Sequence, residues 1–92
     1  MAKNIVWCKT LDGAKGYKYV AVIYESNSAY GKFYVSNNLS DLKSFVYNDV
    51  KRSFDTARGN IYYQSDEYFS RPIYMCCRDN RKTFSQDLLN WW

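Results

Sequence analysis

The chain contains no histidine. That removes the commonest general base near neutral pH, the usual Ser and Cys triads, and the mixed His/Cys zinc sites. A zinc site would have to rest on Cys8, Cys76, Cys77 and a carboxylate. Cys76 and Cys77, adjacent on a strand, point to opposite faces and cannot readily share one ion, so neither a metal nor a cofactor is expected. Three cysteines are an odd number, a poor basis for a disulfide framework, which predicts free thiols and a reducing cytoplasm. No run approaches the ~18 apolar residues of a membrane span, and residues 1–15 lack the apolar stretch of a signal peptide. No membrane contact is expected. The single proline, Pro72, and the four glycines are scattered rather than gathered into a linker. With 92 residues in all, this predicts one domain over 1–92, large enough to bury a core without staples.

Aromatic residues are plentiful: ten tyrosines, five phenylalanines and three tryptophans. Tyrosine places a large rigid ring beside a polar end, which suits both a core boundary and a binding surface. The net charge of +4 is modest and its acids are interspersed with its bases, which permits an anionic partner without requiring one.

Along the chain, residues 4–8 (Asn4, Ile5, Val6, Trp7, Cys8) are β-prone, and Asp12-Gly13 with Gly16 supply a turn. Residues 17–24 place Tyr17, Tyr19, Ala21 and Ile23 on one face and Lys18, Val20, Val22 and Tyr24 on the other. Both sets are largely apolar, as in a central strand. After a polar stretch from Glu25 to Ser28, residues 32–36 make a third strand. Ser40 is the expected N-cap of a long helix, with Asp41 at the positive end of its dipole. Leu42, Phe45, Val46, Val50 and Ala57 fall on one side at helical spacing, and Arg58-Gly59 reads as a basic last turn and stop. Residues 60–63 and 72–77 predict two more strands joined by a polar loop through Asp66 and Glu67. Arg78 to Lys82 reads as a charged turn, and Ser85 as the cap of a short final helix with Leu88, Leu89, Trp91 and Trp92. The expected fold is α+β, an antiparallel sheet of about five strands packed by one long helix, in the order β-β-β-α-β-β-α.

Local motifs point away from catalysis. Gly13-Ala14-Lys15-Gly16 has the wrong glycine spacing for a phosphate loop and fits a hairpin turn. Asp41-Leu42-Lys43 and Asp49-Val50-Lys51 carry the Asp-x-Lys tail of nuclease motifs, but residues two apart on a helix do not share a face. A His-free ribonuclease using Lys, Arg and Tyr is a third-ranked reading. The RelE-like messenger-RNA-cleaving toxins are similar in size and basic character, but open with helices where this chain opens with strands.

Residues 15–22, Lys-Gly-Tyr-Lys-Tyr-Val-Ala-Val, are similar to the RNP1 strand of RNA-recognition motifs. Lys15, Gly16, Tyr17 and Val20 match and Tyr19 is close, whereas Lys18 and Val22 depart from the pattern. That strand belongs third in its fold, and residues 1–14 cannot hold the strand-helix-strand unit that should precede it. What remains is that Tyr17 and Tyr19 can stack on bases or on a protein if their sheet face is open. Arg71, Arg78, Arg81 and Lys82 form a basic group interrupted by Asp79, of which Arg78, Arg81 and Lys82 join the two tyrosines as possible nucleic-acid or partner contacts. Lys43, Tyr47, Lys51 and Arg58 are expected to form a basic, aromatic ridge beside the helix's apolar stripe, suited to partner binding.

In its Tyr-, Asn- and Lys-rich style the chain resembles the small accessory proteins of bacteriophages, including anti-CRISPR and other anti-defence inhibitors. The resemblance implies a non-enzymatic protein that inhibits by occupying a surface of a host or defence protein complex in the host cytoplasm. The alternative is an RNA-binding or single-stranded nucleic-acid-binding module.

Overall fold

The computed structural model describes residues 4–25 and 31–91. The end of the polar stretch at Ser28 and the last helix residue expected, Trp92, lie outside the described residues.

The fold is α+β: one helix packs on a six-stranded antiparallel sheet. Strand β1 (Val6–Cys8) leads through a 3-10 turn (Leu11–Ala14) to β2 (Tyr19–Tyr24) and β3 (Lys32–Ser36). Helix α1 (Leu39–Arg52) follows, and then β4 (Arg58–Tyr63), β5 (Tyr74–Asp79) and β6 (Lys82–Asp87). The spatial order is β1-β3-β2-β4-β5-β6. In the last half of the sheet β4, β5 and β6 form a meander, whereas in the first half β1 pairs with β3 rather than with β2. The halves meet at a central seam where β2 pairs with β4 from Tyr19↔Tyr63 to Tyr24↔Arg58.

Three expectations are corrected. The helix begins two residues earlier than expected, because Asn38 is the N-cap: its side chain accepts from the Asp41 amide at 3.0 Å, while Ser40 lies inside the first turn. The helix also stops early. Ser53 ends it, donating its hydroxyl to the Asp49 carbonyl at 2.8 Å, and Thr56 at φ 76 turns the chain back. Ala57 is buried but lies beyond the helix, and Arg58-Gly59 opens β4 instead of closing α1.

The third correction is larger: the final helix is absent among the described residues and its place is taken by β6. Asp79 faces Lys82 across a two-residue turn whose central residues, Asn80 and Arg81, have φ 50 and φ 66. Two positive φ values in succession match the twist of a hairpin. Arg78 and Lys82 thus belong to strands β5 and β6, not to a turn.

Leu42, Val46 and Val50 of α1 are fully buried, each worth roughly 1.5–3 kcal/mol of apolar transfer. They pack on Ala21, Ile23, Ile61, Ile73, Tyr74 and Cys76. The helix lies tight against the sheet at Gly59, where a Cβ would lie 2.7 Å from Val46 Cγ1. The opposite sheet face carries a smaller cluster, Cys8, Ala14, Val20 and Val35, covered by Tyr17, Phe33 and Phe69.

Candidate functional site

Strand alternation sorts each sheet residue onto one of two faces. Since Ile23, Ile61 and Cys76 face the helix, their neighbours Tyr24, Arg58, Asn60, Met75 and Cys77 face away. The register places Phe84 opposite Cys77 and Gln86 opposite Met75, on that same outer face.

The outer face is not uniform. Over β1, β2 and β3 it is roofed by the 3-10 turn and by the connection carrying Phe69, whose ring stacks on Tyr62 at 4.8 Å. Asp66 holds that connection in shape by accepting from the Arg71 amide at 2.8 Å and the Ser70 amide at 3.2 Å. The Arg71 bond, aided by those from Ser70, keeps the Asp66 carboxyl below its ordinary range.

Over β5, β6 and residues 58–60 of β4, beyond the covered Tyr62, the face is bare. Arg58, Asn60, Met75, Cys77, Phe84 and Gln86 line an open groove of about 290 Å³. Met75 and Phe84 are 42% and 51% exposed. Arg58 lies over the Tyr24 ring, 4.4 Å from its centroid, a cation–π contact that holds the guanidinium above the apolar floor. Of the other exposed rings, Phe54, Tyr68 and Trp91 sit on connections, Tyr63 ends β4 on the helix side, and Trp7 lies beside exposed Val6 on the edge strand β1, with no cation held over it among the described contacts. This half-face instead joins several apolar side chains to an oriented cation.

The residues expected to act together are distributed differently. Lys43, Tyr47 and Lys51 do share α1, but Arg58 projects from β4 on the far side of the sheet. The four do not form one ridge. Lys43 bridges to Asp87 and lies 5.9 Å from the Tyr74 ring centroid, which ties the helix to β6.

Tyr17 precedes β2 and packs in the outer cluster, whereas Tyr19 faces the helix side and meets Tyr63 at 5.7 Å. They offer no common stacking platform. Arg78 faces the helix side with Nε 3.6 Å from Asp55, while Arg81 and Lys82 are exposed at the hairpin tip. The place of Phe84 and Gln86 on this face is hidden in sequence by the apolar residues Leu88, Leu89 and Trp91, which suggest a final helix, whereas Met75 falls in the strand expected over 72–77. With Phe84 the one apolar residue between Lys82 and Asp87, β6 leaves no alternation in the sequence by which to find it.

No protein-family model, curated protein or solved structure matches this chain.

The cysteines divide by face as their adjacency predicts. All three are free; Cys8 and Cys76 are buried and Cys77 is exposed on the bare face. Burial, with a smaller contribution from Cys77, pushes the Cys76 thiol up to about 11, and burial also raises Cys8. Because the thiolate is the reactive form, a disulfide-exchange reagent near neutral pH should label Cys77 promptly. Cys8 and Cys76 should react only on unfolding. Prompt labelling of Cys76 would show that the helix-side packing is wrong.

Behind the helix, Asp49 is half-buried, and its Oδ2 lacks a hydrogen-bond partner among the described residues. Burial, then the charge of Glu25, raises its carboxyl above the ordinary 3.8, against the opposing pull of Lys32 and Arg52. With a folded pKa above the unfolded one, the folded state holds the extra proton between the two values. Stability contributed by this group therefore falls as pH rises through that window. Asp49→Asn should be more stable than the parent at neutral pH and lose that part of the slope, measured by urea unfolding across pH. A neutral-pH loss of stability in Asp49→Asn would refute this.

Proposed function

We propose that the protein is a non-enzymatic binder of the phage anti-defence kind, an inhibitor that occupies a surface of a host or defence protein complex through the bare half of its sheet. The observation that supports this reading is the joining of exposed Met75 and Phe84 with Arg58 held over Tyr24. An apolar patch with an arginine fixed beside it is the composition of a protein-binding hot spot.

A nucleic-acid track would need a run of free cations to displace counterions. Here Lys32, Lys43 and Arg78 are opposed by Glu25, Asp87 and Asp55, and Arg58 is the one base lining the groove. Protein is therefore the preferred partner class. The free thiols suit a reducing cytoplasm as the place of action.

Affinity capture from cells, with and without nuclease and at raised salt, tests the reading. The parent should retain a protein partner in all arms. A Met75→Glu/Arg58→Glu variant, first shown by circular dichroism to be folded, should lose it. Equal recovery by the folded variant would remove the bare face from consideration, and a capture abolished by nuclease would replace the protein partner with nucleic acid.

A further inference from the structure

Strand β6 ends the sheet, and among the described residues nothing pairs with its outer edge. Edges are usually blunted by proline, a bulge, inward charge or a covering segment. Residues 82–87 contain no proline and pair with β5 residue for residue, and five of the six are exposed. Lys82, at the first position, is the sole cation in the strand.

Backbone alternation fixes what this edge offers. The Leu88 amide donates to the Ile73 carbonyl at 2.9 Å, so Leu88 and, by alternation, Gln86, Phe84 and Lys82 turn their backbone groups towards β5. Thr83, Ser85 and Asp87 turn theirs outward.

We propose that β6 pairs antiparallel with β6 of a second copy of this chain about a two-fold axis at Phe84, joining two sheets into one. A two-fold normal to the sheet keeps both helices on one side, so it can oppose only residues that share a face. The register centred on Phe84 sets Phe84 against Phe84, Thr83 against Ser85, Lys82 against Gln86, and Arg81 against Asp87 of the second copy. Thr83 and Ser85 then exchange their outward amide and carbonyl bonds. The Phe84 pair falls at a non-hydrogen-bonded position, where side chains approach most closely and aromatic pairs are favoured.

Charge decides between neighbouring registers. Centring on Ser85 opposes Lys82 to Leu88 and Phe84 to Gln86, while centring on Thr83 opposes Lys82 to Phe84. Only the Phe84 register sets ring on ring and brings Arg81, at the turn, opposite Asp87, which also bridges to Lys43 of its own chain, at both ends. The pairing does not depend on what the bare face binds, although it would place two such faces side by side.

Sedimentation equilibrium of the full chain should show a reversible dimer. Ser85→Pro removes an outward amide without breaking the β5 ladder, and Phe84→Lys sets like charges across the axis. Each should weaken dimerisation by roughly 10-fold or more, about 1.4 kcal/mol. Should Ser85→Pro fail to fold, Phe84→Lys carries the comparison.

Register is read by cross-linking in a Cys77→Ser background, needed because Cys77 lies opposite Phe84 within one chain. There, Phe84→Cys should oxidise to a disulfide-linked dimer, and Gln86→Cys should not. A parent that stays monomeric up to about 1 mM, the weak limit of specific affinity, would overturn the proposal. So would a folded Phe84→Lys variant that dimerises as the parent does, or cross-linking at Gln86 in preference to Phe84.

Discussion

Val50→Asp should cost more than about 4 kcal/mol and leave the chain largely unfolded, because a domain of this kind has only about 5–15 kcal/mol in total. Val50 is fully buried, packed in the helix-side cluster one turn beyond Val46. Ser36 is the one buried polar or charged residue among the described residues, so a carboxylate introduced at this depth must stay unpaired, take up a proton or force the helix off the sheet. The neighbouring Lys51 is exposed, and Lys51→Ala should fall within about 0.5 kcal/mol of the parent. Far-UV circular dichroism with urea titration separates the two. A Val50→Asp protein as stable as the parent would mean that α1 presents a different face to the sheet.

Gly59→Ala is the second large effect expected, about 1–3 kcal/mol of overpacking from one methyl group. The added Cβ would sit 2.7 Å from Val46 Cγ1 and 3.4 Å from both Ile23 Cγ1 and Val50 Cγ2. Since those are core methyl and methylene groups of β-branched side chains rather than flexible ends, the helix itself must lift. The cause can be separated from a general loss of packing by adding Val46→Ala, which deletes the clashing methyl. If close approach is the reason for glycine, the double variant should be less destabilised than the two single effects combined. Additive behaviour in urea unfolding would assign Gly59 some other role.

That glycine also shows how the sequence misleads. Arg58-Gly59 follows an apolar stripe at helical spacing and has the composition of a helix end, yet both residues lie in β4. The glycine is required by the helix packed above it, a tertiary contact that local pattern does not contain. Strand β3, by contrast, was legible to the residue at 32–36, and Leu42, Val46 and Val50 were legible as the buried stripe, because burial on one side leaves a period in the sequence.

The hairpin from β5 to β6 was missed for a different reason. Its turn residues, Asn80 and Arg81, include no glycine although both have positive φ, and Leu88, Leu89 and Trp91 suggested an apolar helix face instead. The bare half-face depended on that error and on which side of the sheet the helix takes. Neither its membership nor its exposure could be read from the chain alone.

The meeting of the two halves of the sheet at the β2–β4 seam bears on how quickly this protein reaches its native state. Within each half, β2 with β3 and β5 with β6 pair strands that follow one another in the chain, and such hairpins form on a scale of about 1–10 μs. Tyr19 must find Tyr63, and Tyr24 must find Arg58, only after the intervening chain has looped back with α1. That closure entropy precedes the reward of the central ladder. Stopped-flow refolding should therefore be limited by seam closure, and Gly59→Ala, which disturbs the helix where it crosses that seam, should slow folding more than a substitution at the β5–β6 turn.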